Sequence, residues 1–527
     1  MAHTVLAVLV VASRPVVELP GLGSLQGVPS THQGVNVFRG IPYAQPPTGA
    51  LRWQPPRFTV GWGGVRDAGR FGHICPQQLG ANGSMGADES EDCLFVNIAT
   101  PAVASDKALP MMVWIHGGSY AAESSNRFAI DALVAASNHS VVVVSINYRL
   151  GVLGFLGSRQ LQSSSKDGST GNYGMQDQRM ALQWMRKYGR SFNGDPDRIT
   201  IFGQSAGGSA VVNHLAQRSS WGLFRQAMIQ SGTYPHANPS LEAADEVFQA
   251  VASRAGCYDV RCMRGLALSD VVNASRDIWS WGPVVDGVVL QQDPFAAIRD
   301  GRFAPGVTVV VGSNRDEDAW TAFHNHLPAA MSESDMEDLL LQNQVVPQSA
   351  VPVVKAVYSP EVYPYPADLG NFSRWWWMYD RIKTDKGLGP CTDRSLARDL
   401  VRHGAKVFKY LFAHPTQAVV DSIPGSGPGC VTVPHEGEIP YVFGDAGVLK
   451  PGMEAQLATQ VGVWWAQFGR TGTIGGWEPY SSTRDATWRI DVGKTGGMLE
   501  RGVRKLACDF WSVVAPSGDS GAFEVLV

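Results

Sequence analysis

The chain has 527 residues, of which 44% are hydrophobic and 17% are charged, and its formal net charge is −4. This apolar content can bury a large core, so the composition excludes an intrinsically disordered chain. Lysine and arginine are spread along the sequence without a basic run, which gives no reason to expect a nucleic-acid partner.

The N-terminus is apolar over residues 4–12 (TVLAVLVVA). Nine residues are too few to span a bilayer but suit the hydrophobic region of a secretory signal, so residues 1–13 are predicted to be a signal peptide. The alternative is a buried first strand, because residues 1–3 contain no lysine or arginine. Residues 14–527 are predicted to form a single domain of a secreted protein, without a membrane span.

Short β-branched runs alternate with longer helical patterns along the rest of the chain. This alternation predicts a mostly parallel sheet that is covered by helices on both faces. Helices are predicted at 175–189 and in the segment after Gly207. The predicted strands lie at 111–118, 141–149, 198–204, 307–314 and 406–414.

The sequence WIHGGS at 114–119 ends the first of these strands. Acyl transfer needs two or three N–H donors around the oxyanion, and glycines let the backbone approach closely. This pattern predicts an oxyanion hole, with a positional role for His116. The alternative is an ordinary turn from strand to loop, where Gly-Gly is common.

Ser205 lies in GQSAG at 203–207, a G-x-S-x-G sequence between a predicted strand and a predicted helix. A nucleophilic serine at such a position sits on a strained turn, where side chains two residues away on either side would clash. The helix N-terminus also directs N–H groups toward developing negative charge. The position therefore indicates a serine nucleophile.

An orienting acid and then a base follow the serine along chains that carry such a turn. Acidic residues at 316–318 come just after a predicted strand, where a carboxylate can reach the site. The pattern alone does not choose between the histidines that lie late enough, which are His324, His326, His403, His414 and His435.

Beyond these motifs, the chain resembles the type-B carboxylesterase and cholinesterase family over nearly its whole length. The resemblance implies an α/β-hydrolase fold with a large, mostly parallel central sheet, helices on both faces and long loop insertions. It implies a serine carboxylic ester hydrolase that needs no cofactor and no metal. The matching sequences are FRGIPYA at 38–44, SEDCL at 90–94, HGG at 116–118, NYRLG at 147–151, GNYG at 171–174 and FGQSAGG at 202–208.

The resemblance also implies roles for individual residues. Ser205 would be the nucleophile, Glu317 the orienting acid and His435 the base. The oxyanion donors would be the backbone N–H groups of Gly118, Ser119 and Ala206, with Gly117 shaping the loop. The implied disulfides are Cys75–Cys93, Cys257–Cys262 and Cys391–Cys508, which leaves Cys430 free, while a Cys391–Cys430 pair is the alternative.

Two residues depart from the family pattern. The family usually has glycine directly after the histidine, where this chain has Glu436, which we expect to face solvent. A carboxylate that pointed inward there would raise the pKa of His435. Ser119 stands where the family commonly has glycine, but its N–H is unaffected by the side chain.

The 17 residues between Cys75 and Cys93 are largely polar and contain no aromatic side chain. Cholinesterase-like sites bind quaternary ammonium on a tryptophan in this loop. The loop of this chain has no tryptophan, which argues against choline esters as substrates. Lipases of the family have a longer apolar lid here, which argues against long-chain triglycerides. The predicted substrates are therefore small to medium or bulky esters.

The aromatic sequence RWWWMY at 374–379 has two interpretations. It predicts a helix packed against the core, and the alternative is a pocket wall for a bulky substrate. The N-x-S sequons, which can be glycosylated only in a secretory chain, lie at Asn82, Asn138, Asn273 and Asn371.

Two other functions use the same scaffold. A non-catalytic binding protein, as in neuroligins, loses at least one of the three catalytic residues, whereas all three positions are filled here. A tailoring esterase or acyltransferase of secondary metabolism would keep all three, and the sequence does not distinguish it from a hydrolase. The oligomeric state also cannot be read from the sequence.

Overall fold

The computed structural model describes residues 14–78, 86–234, 237–278, 280–365, 371–422, 431–493 and 496–514. The predicted signal peptide at 1–13, the sequon at Asn82 and the thiol of Cys430 lie outside these residues. The other three sequon asparagines are exposed. Among the described helices, none is long and apolar enough to cross a bilayer.

Two sheets form from the strands of the described residues. The larger sheet has eleven strands in the order β14-β13-β12-β11-β10-β9-β7-β8-β6-β4-β3, and the smaller one has the order β1-β2-β5. The bounds are β1 Val16–Leu19, β2 Gly23–Gln26, β3 Val28–Pro29, β4 Val35–Pro42, β5 Val65–Asp67, β6 Phe95–Pro101, β7 Leu109–Ile115, β8 Val142–Ile146, β9 Gly194–Gln204, β10 Gln226–Gln230, β11 Thr308–Asn314, β12 Lys406–Phe412, β13 Ala486–Ile490 and β14 Gly497–Arg501.

The middle of the larger sheet is parallel from β8 through β7, β9, β10, β11 and β12 to β13. Antiparallel pairs lie at its two ends. The register aligns the ends of β9 and β10, since Gly203 pairs with Ile229 and Gln204 with Gln230. The carboxyl ends of these parallel strands therefore meet at one edge, where a site forms in such sheets.

Helices cover both faces of this sheet. They are α1 Ile130–Ala136, α2 Gly151–Phe155, α3 Arg159–Ser164, α4 Tyr173–Tyr188, α5 Ala206–Ala216, α6 Leu241–Arg254, α7 Val260–Gly265, α8 Leu268–Ala274, α9 Pro294–Arg299, α10 Ala319–His324, α11 Glu333–Gln342, α12 Val351–Val357, α13 Arg374–Lys386, α14 Pro390–Arg402, α15 Gln417–Asp421, α16 Ile439–Val442, α17 Met453–Thr471 and α18 Lys505–Val514.

Alternate residues of β7 belong to two different hydrophobic clusters. Val113 packs in the cluster that includes residues of α4 and α5, whereas Trp114 packs in the cluster that includes α1 and α17. Successive side chains of a strand point to opposite faces, so each face of the sheet has its own core. This arrangement explains why the central strands carry apolar side chains at successive positions.

The five predicted strands are all present, and three end earlier than predicted. Strand β7 ends at Ile115 rather than at residue 118, and Gly118, with a φ of +84°, lies outside the ladder. Strands β8 and β12 likewise stop at Ile146 and Phe412. The pattern does not predict β10, whose sequence QAMIQ has a single β-branched residue.

The aromatic sequence at 374–379 begins helix α13, and the helical prediction is confirmed. Trp376 and Trp377 are buried in a third hydrophobic cluster, which also contains Trp511 of α18. These two side chains therefore serve packing rather than a pocket wall. The disulfide between Cys391 and Cys508 lies in the same cluster and joins α14 to α18.

The other two disulfides of the structure are Cys75–Cys93 and Cys257–Cys262. All three are the pairs that the family resemblance implies. Because Cys391 is bonded to Cys508, the alternative pair with Cys430 is wrong.

Candidate active site

Ser205 sits on the turn between β9 and α5, with φ 58° and ψ −127°. This left-handed conformation is strained for a residue with a side chain, and such strain is typical of a serine turn of this kind. The turn is held in the sheet because the Ser205 N–H donates to Gln230 O of β10 at 2.9 Å. The side chain is 5% exposed.

The glycines on either side of the serine let the turn pack against neighbouring backbone. A Cβ on Gly207 would lie 2.0 Å from Ile115 O, and one on Gly203 would lie 2.6 Å from the same oxygen. A Cβ on Gly208 would lie 2.7 Å from Gln230 O. The turn is therefore wedged between β7 and β10, at a separation that only glycine allows.

The HGG loop lies directly against the serine turn. A Cβ on Gly117 would be 3.0 Å from Ser205 Cβ and 2.9 Å from Gln204 O. The carbonyl of Gly118 accepts hydrogen bonds from two later N–H groups of the loop, those of Ala121 and Ala122, both at 2.9 Å. Ser119, with a φ of +53°, tolerates the backbone that the family builds with glycine.

Three N–H groups lie unused near Ser205. Among the hydrogen bonds of the described residues, none is donated by the N–H of Gly118 or Ser119. Ala206 is the first residue of α5, and the N–H groups of a first helical turn have no partner within their own helix. The arrangement can offer donors to an anion beside the serine.

His116, at the start of the HGG loop, is packed rather than exposed to a substrate. Its ring stacks on Tyr148 with centroids 4.4 Å apart, and the Tyr148 hydroxyl donates to His116 O at 2.8 Å. Burial lowers the pKa of His116 to about 4, so its ring is neutral. These contacts support a positional role.

His435 and Glu317 form a short hydrogen bond, with Nδ1 and Oε2 2.6 Å apart. The other oxygen of Glu317 accepts from Ser231 Oγ and from the Asn314 N–H, both at 2.6 Å. These donors hold the carboxylate while it faces the imidazole. With Nδ1 donating to Glu317, the lone pair of His435 is on Nε2, toward the serine turn.

Among the hydrogen bonds of the described residues, none joins Ser205 Oγ directly to His435 Nε2. Instead Gln204 Nε2 lies 3.1 Å from His435 Nε2, and the Tyr234 hydroxyl lies 3.1 Å from Ser205 Oγ. In place of the expected contact between Ser205 and His435, the base has Gln204 as its partner and the nucleophile has Tyr234. Catalytic hydrogen bonds often close only when substrate binds.

The three adjacent acids at 316–318 divide into different roles. Asp316 holds the segment at 431–438 that carries His435, here called the histidine loop. Its Oδ2 accepts from the Val433 N–H at 2.9 Å, and its own N–H donates to Val433 O at 3.0 Å. Glu317 alone of the three binds His435. Asp318 is buried away from the imidazole, and its burial raises its pKa to about 6.

The structure does not place the other described candidate histidines at the site. His403 contacts Arg299 O at 2.9 Å, and His414 lies between Asp491 and Glu454. His326 is exposed. The side chain of His324 lies outside the described part of the structure. His435 is thus the imidazole that the described structure places beside Ser205.

A second carboxylate, Glu438, is buried next to Glu317. It accepts from Asn314 Nδ2 at 2.7 Å and from Gln230 Nε2 at 3.1 Å. Burial and the neighbouring charge of Glu317 raise the pKa of Glu438 to about 7. Glu438 follows His435 by three residues, so the site has an acid that the sequence pattern did not single out.

Glu436 has a φ of +67°, a conformation that favours glycine, at the position where the family usually has that residue. Its carboxylate accepts from Arg127 at 3.1 Å, and Arg127 also pairs with Glu123. The side chain is 32% exposed, so the expectation that Glu436 faces solvent is only partly met. The ion pair links the histidine loop to the segment after the HGG loop.

The charges around His435 act against the effect of burial. Burial lowers its pKa, but the negative charges of Glu317, Glu436 and Glu438 outweigh this and raise the pKa above its usual value. A more basic imidazole accepts a proton more readily, but it is also protonated at a higher pH. Within the described ranges, no three His, Cys, Asp or Glu side chains are grouped to hold a metal ion.

Comparisons with known proteins show the family of the chain. A model of the carboxylesterase family matches residues 13–511. The acylcarnitine hydrolase of Mus musculus is 32% identical over 85% of this chain and 81% of its own length. The fumonisin B1 esterase of Sphingopyxis macrogoltabida is 31% identical over 85% of this chain and 80% of its own.

Among solved structures, a carboxylesterase of Geobacillus stearothermophilus is similar to this chain with a TM-score of 0.77 and 29% identity. The similarity covers 94% of this chain and all of that one, and it confirms the α/β-hydrolase fold. The protein is therefore a carboxylesterase-type hydrolase. It belongs to the carboxylesterase family, and its reaction is the hydrolysis of carboxylic esters.

Proposed function

We propose that the chain hydrolyses small to medium or bulky esters through an acyl intermediate on Ser205. His435 is the general base, Glu317 orients it, and Gly118, Ser119 and Ala206 donate to the oxyanion beside Gly117. The observation that carries this proposal is the Glu317–His435 pair, which lies beside a strained serine turn. A structural histidine would not need its acceptor nitrogen directed toward that turn.

In the first half of the reaction, Ser205 Oγ attacks the ester carbonyl while His435 Nε2 takes its proton. The carbonyl electron pair moves onto oxygen, where the three backbone N–H groups stabilise it. Collapse of this intermediate breaks the bond to the alcohol, which leaves with the proton from His435. Water then attacks the acyl-serine in the same way and releases the acid.

For the first step, Ser205 Oγ must donate to His435 while it accepts from Tyr234, and Gln204 must release the imidazole. Both are changes of side-chain hydrogen bonds. A substrate carbonyl in the oxyanion site would favour the productive arrangement, because it places an electrophile next to Oγ.

Replacement of Ser205 by alanine tests the mechanism. We expect Ser205→Ala to lower kcat for p-nitrophenyl butyrate by at least about 10⁴-fold and to abolish labelling by a fluorophosphonate probe. Ser209→Ala, one turn later in α5, is the matched control and should keep both. A folded Ser205→Ala protein with the native rate would refute the proposal.

The natural ester requires a separate experiment. Two of the relatives are named for different substrates, an acylcarnitine and fumonisin B1. A panel that varies acyl length and alcohol bulk, with an acylcarnitine and a choline ester included, separates the classes. We expect bulky, uncharged alcohols to be accepted and choline esters and long-chain triglycerides to be poor substrates.

We also propose that the protein is secreted. The three disulfides support this, because such bonds persist in oxidising compartments and are rare in the cytosol. N-terminal sequencing of protein exported by a secreting host should begin near residue 14. A mature chain that still begins at Met1 would contradict the signal peptide.

A further inference from the structure

We propose that Tyr234 is a further catalytic residue, whose hydroxyl hydrogen-bonds to Ser205 Oγ and stabilises charge on that oxygen when it leaves the acyl-enzyme. The inference rests on the acyl-serine mechanism proposed above. It adds a side-chain donor at the nucleophile oxygen, which is a different atom from the one that the backbone donors stabilise.

The segment that leads to Tyr234 is anchored at three successive residues. It follows β10, next to the serine turn, and the N–H of Ser231 donates to Gly312 O at 2.8 Å. Thr233 Oγ1 donates to the buried carboxylate of Asp393 at 2.8 Å. A Cβ on Gly232 would lie 2.3 Å from the backbone of Gly208, so the segment is pressed onto α5.

This placement brings the phenol to the nucleophile. The Tyr234 hydroxyl lies 3.1 Å from Ser205 Oγ, a normal distance for a hydrogen bond. The anchors of the preceding segment, at Gly312, Asp393 and α5, lie outside the histidine loop. The phenol can therefore stay beside Oγ while His435 moves protons.

The local charges keep the phenol in its donor form. Burial raises the pKa of Tyr234 to about 12, and the carboxylates of Glu317 and Glu436 contribute. At neutral pH the hydroxyl is thus protonated, which excludes it as the base. It can donate a hydrogen bond to an oxygen that becomes more negative.

That change in charge occurs in deacylation. Water adds to the acyl carbon and gives its proton to His435 Nε2, and then the bond between carbon and Oγ breaks. The bonding pair moves onto Oγ, which takes the proton from His435, and Tyr234 keeps its own proton throughout. In acylation Oγ instead uses a lone pair for attack, so a donor there gives no comparable benefit.

Tyr234→Phe tests the proposal, because it keeps the ring and removes only the hydroxyl. We expect the deacylation rate constant for p-nitrophenyl acetate to fall about 10- to 100-fold, the range for a hydrogen bond to a charged group. The pre-steady-state burst of p-nitrophenol should approach one per active site. KM should fall together with kcat, so kcat/KM changes little.

Tyr188→Phe is the matched control, since Tyr188 is a buried tyrosine at the end of α4, outside the site. It should keep native kinetics, and thermal melting should show both variants folded. A folded Tyr234→Phe protein with native deacylation overturns the inference, as does a loss of kcat/KM without a burst.

The activity of Ser205→Ala distinguishes a failure of the role proposed for Tyr234 from a failure of the acyl-serine mechanism. If that variant is inactive and Tyr234→Phe is native in rate, the acyl-serine mechanism stands and the role of Tyr234 is wrong. If Ser205→Ala is active, the mechanism fails and the role of Tyr234 fails with it.

Discussion

The serine turn and the histidine loop meet at one edge of the sheet but are held there by different forces. The turn is fixed by backbone packing, with Gly203 and Gly207 against Ile115 O and Ser205 bonded to Gln230. The histidine loop is fixed by side-chain charges, through Asp316 to Val433 and through Glu436 to Arg127.

The two regions therefore tolerate different kinds of substitution. Added volume at the serine turn has nowhere to go, because its neighbours are backbone atoms that cannot rotate away. A change of charge in the histidine loop leaves the packing intact but alters the tautomer or the pKa of the imidazole. Substitutions that change only side-chain volume, or only charge, therefore test this difference between the serine turn and the histidine loop.

The largest effect is expected from Glu317→Gln, which removes the charge that faces the histidine loop. The glutamine oxygen can still accept from Ser231 and Asn314, which turns its NH₂ toward His435 Nδ1 and favours the wrong tautomer. We expect kcat to fall about 10⁴-fold with the fold retained, by analogy with the orienting acid of serine proteases. Turnover of p-nitrophenyl butyrate and thermal melting measure the two quantities.

Asp318→Asn is the control for this prediction, because it removes an acid one residue later that does not contact His435. It should keep kcat close to the native value. A strong loss of turnover in Asp318→Asn with a mild one in Glu317→Gln would reverse the assignment of the orienting acid.

Gly207→Ala should have the next largest effect, on stability as well as on activity. Its methyl group would lie 2.0 Å from Ile115 O, so β7 or α5 must shift. We expect a loss of about 3 kcal/mol in the free energy of unfolding, measured by urea denaturation, and a marked loss of turnover because Ser205 moves.

Gly265→Ala at the end of α7 is the matched glycine substitution, since an added Cβ meets nothing within 4 Å there. Its urea midpoint should equal or slightly exceed the native one. Equal stability of the two alanine variants would show that the turn is not held by close backbone packing.

The smallest effect is expected from Glu436→Gln, which removes one charge near His435. Because Glu436 helps to raise the pKa of His435, its loss lowers that pKa. His435 then stays neutral to a lower pH, so the acidic limb of kcat/KM shifts to lower pH while the plateau persists. Glu246→Gln, on the exposed side of α6, should leave the limb in place.

Low ionic strength is the condition for this measurement, since salt screens charges that are partly exposed. An acidic limb that moves upward, or does not move, would contradict the contribution of Glu436. The same pH profile tests the ion pair with Arg127. Without this ion pair, the carboxylate of Glu436 would face solvent, which would screen its effect on the pKa of His435.

Much of the fold follows from local pattern. The apolar strands, helix α4 and the serine turn are predictable because residues that bury both faces of a strand, or that fit a strained turn, are local in sequence. Strand β10 was missed, since QAMIQ lacks a β-branched run. Ser231 and Tyr234 follow this strand and enter the site, so the sequence pattern did not indicate them either.

The sequence by itself determined the family, the position of the serine turn and the candidate acids and histidines. The resemblance also implied Glu317 and His435 as acid and base, and the structure shows their contact. Only the tertiary structure decided that Gln204 and Tyr234 hold the base and the nucleophile, and that Glu438 is buried beside them. The reason is that these contacts join residues from different strands and loops, and a hydrogen bond between such residues depends on packing and register rather than on spacing along the chain.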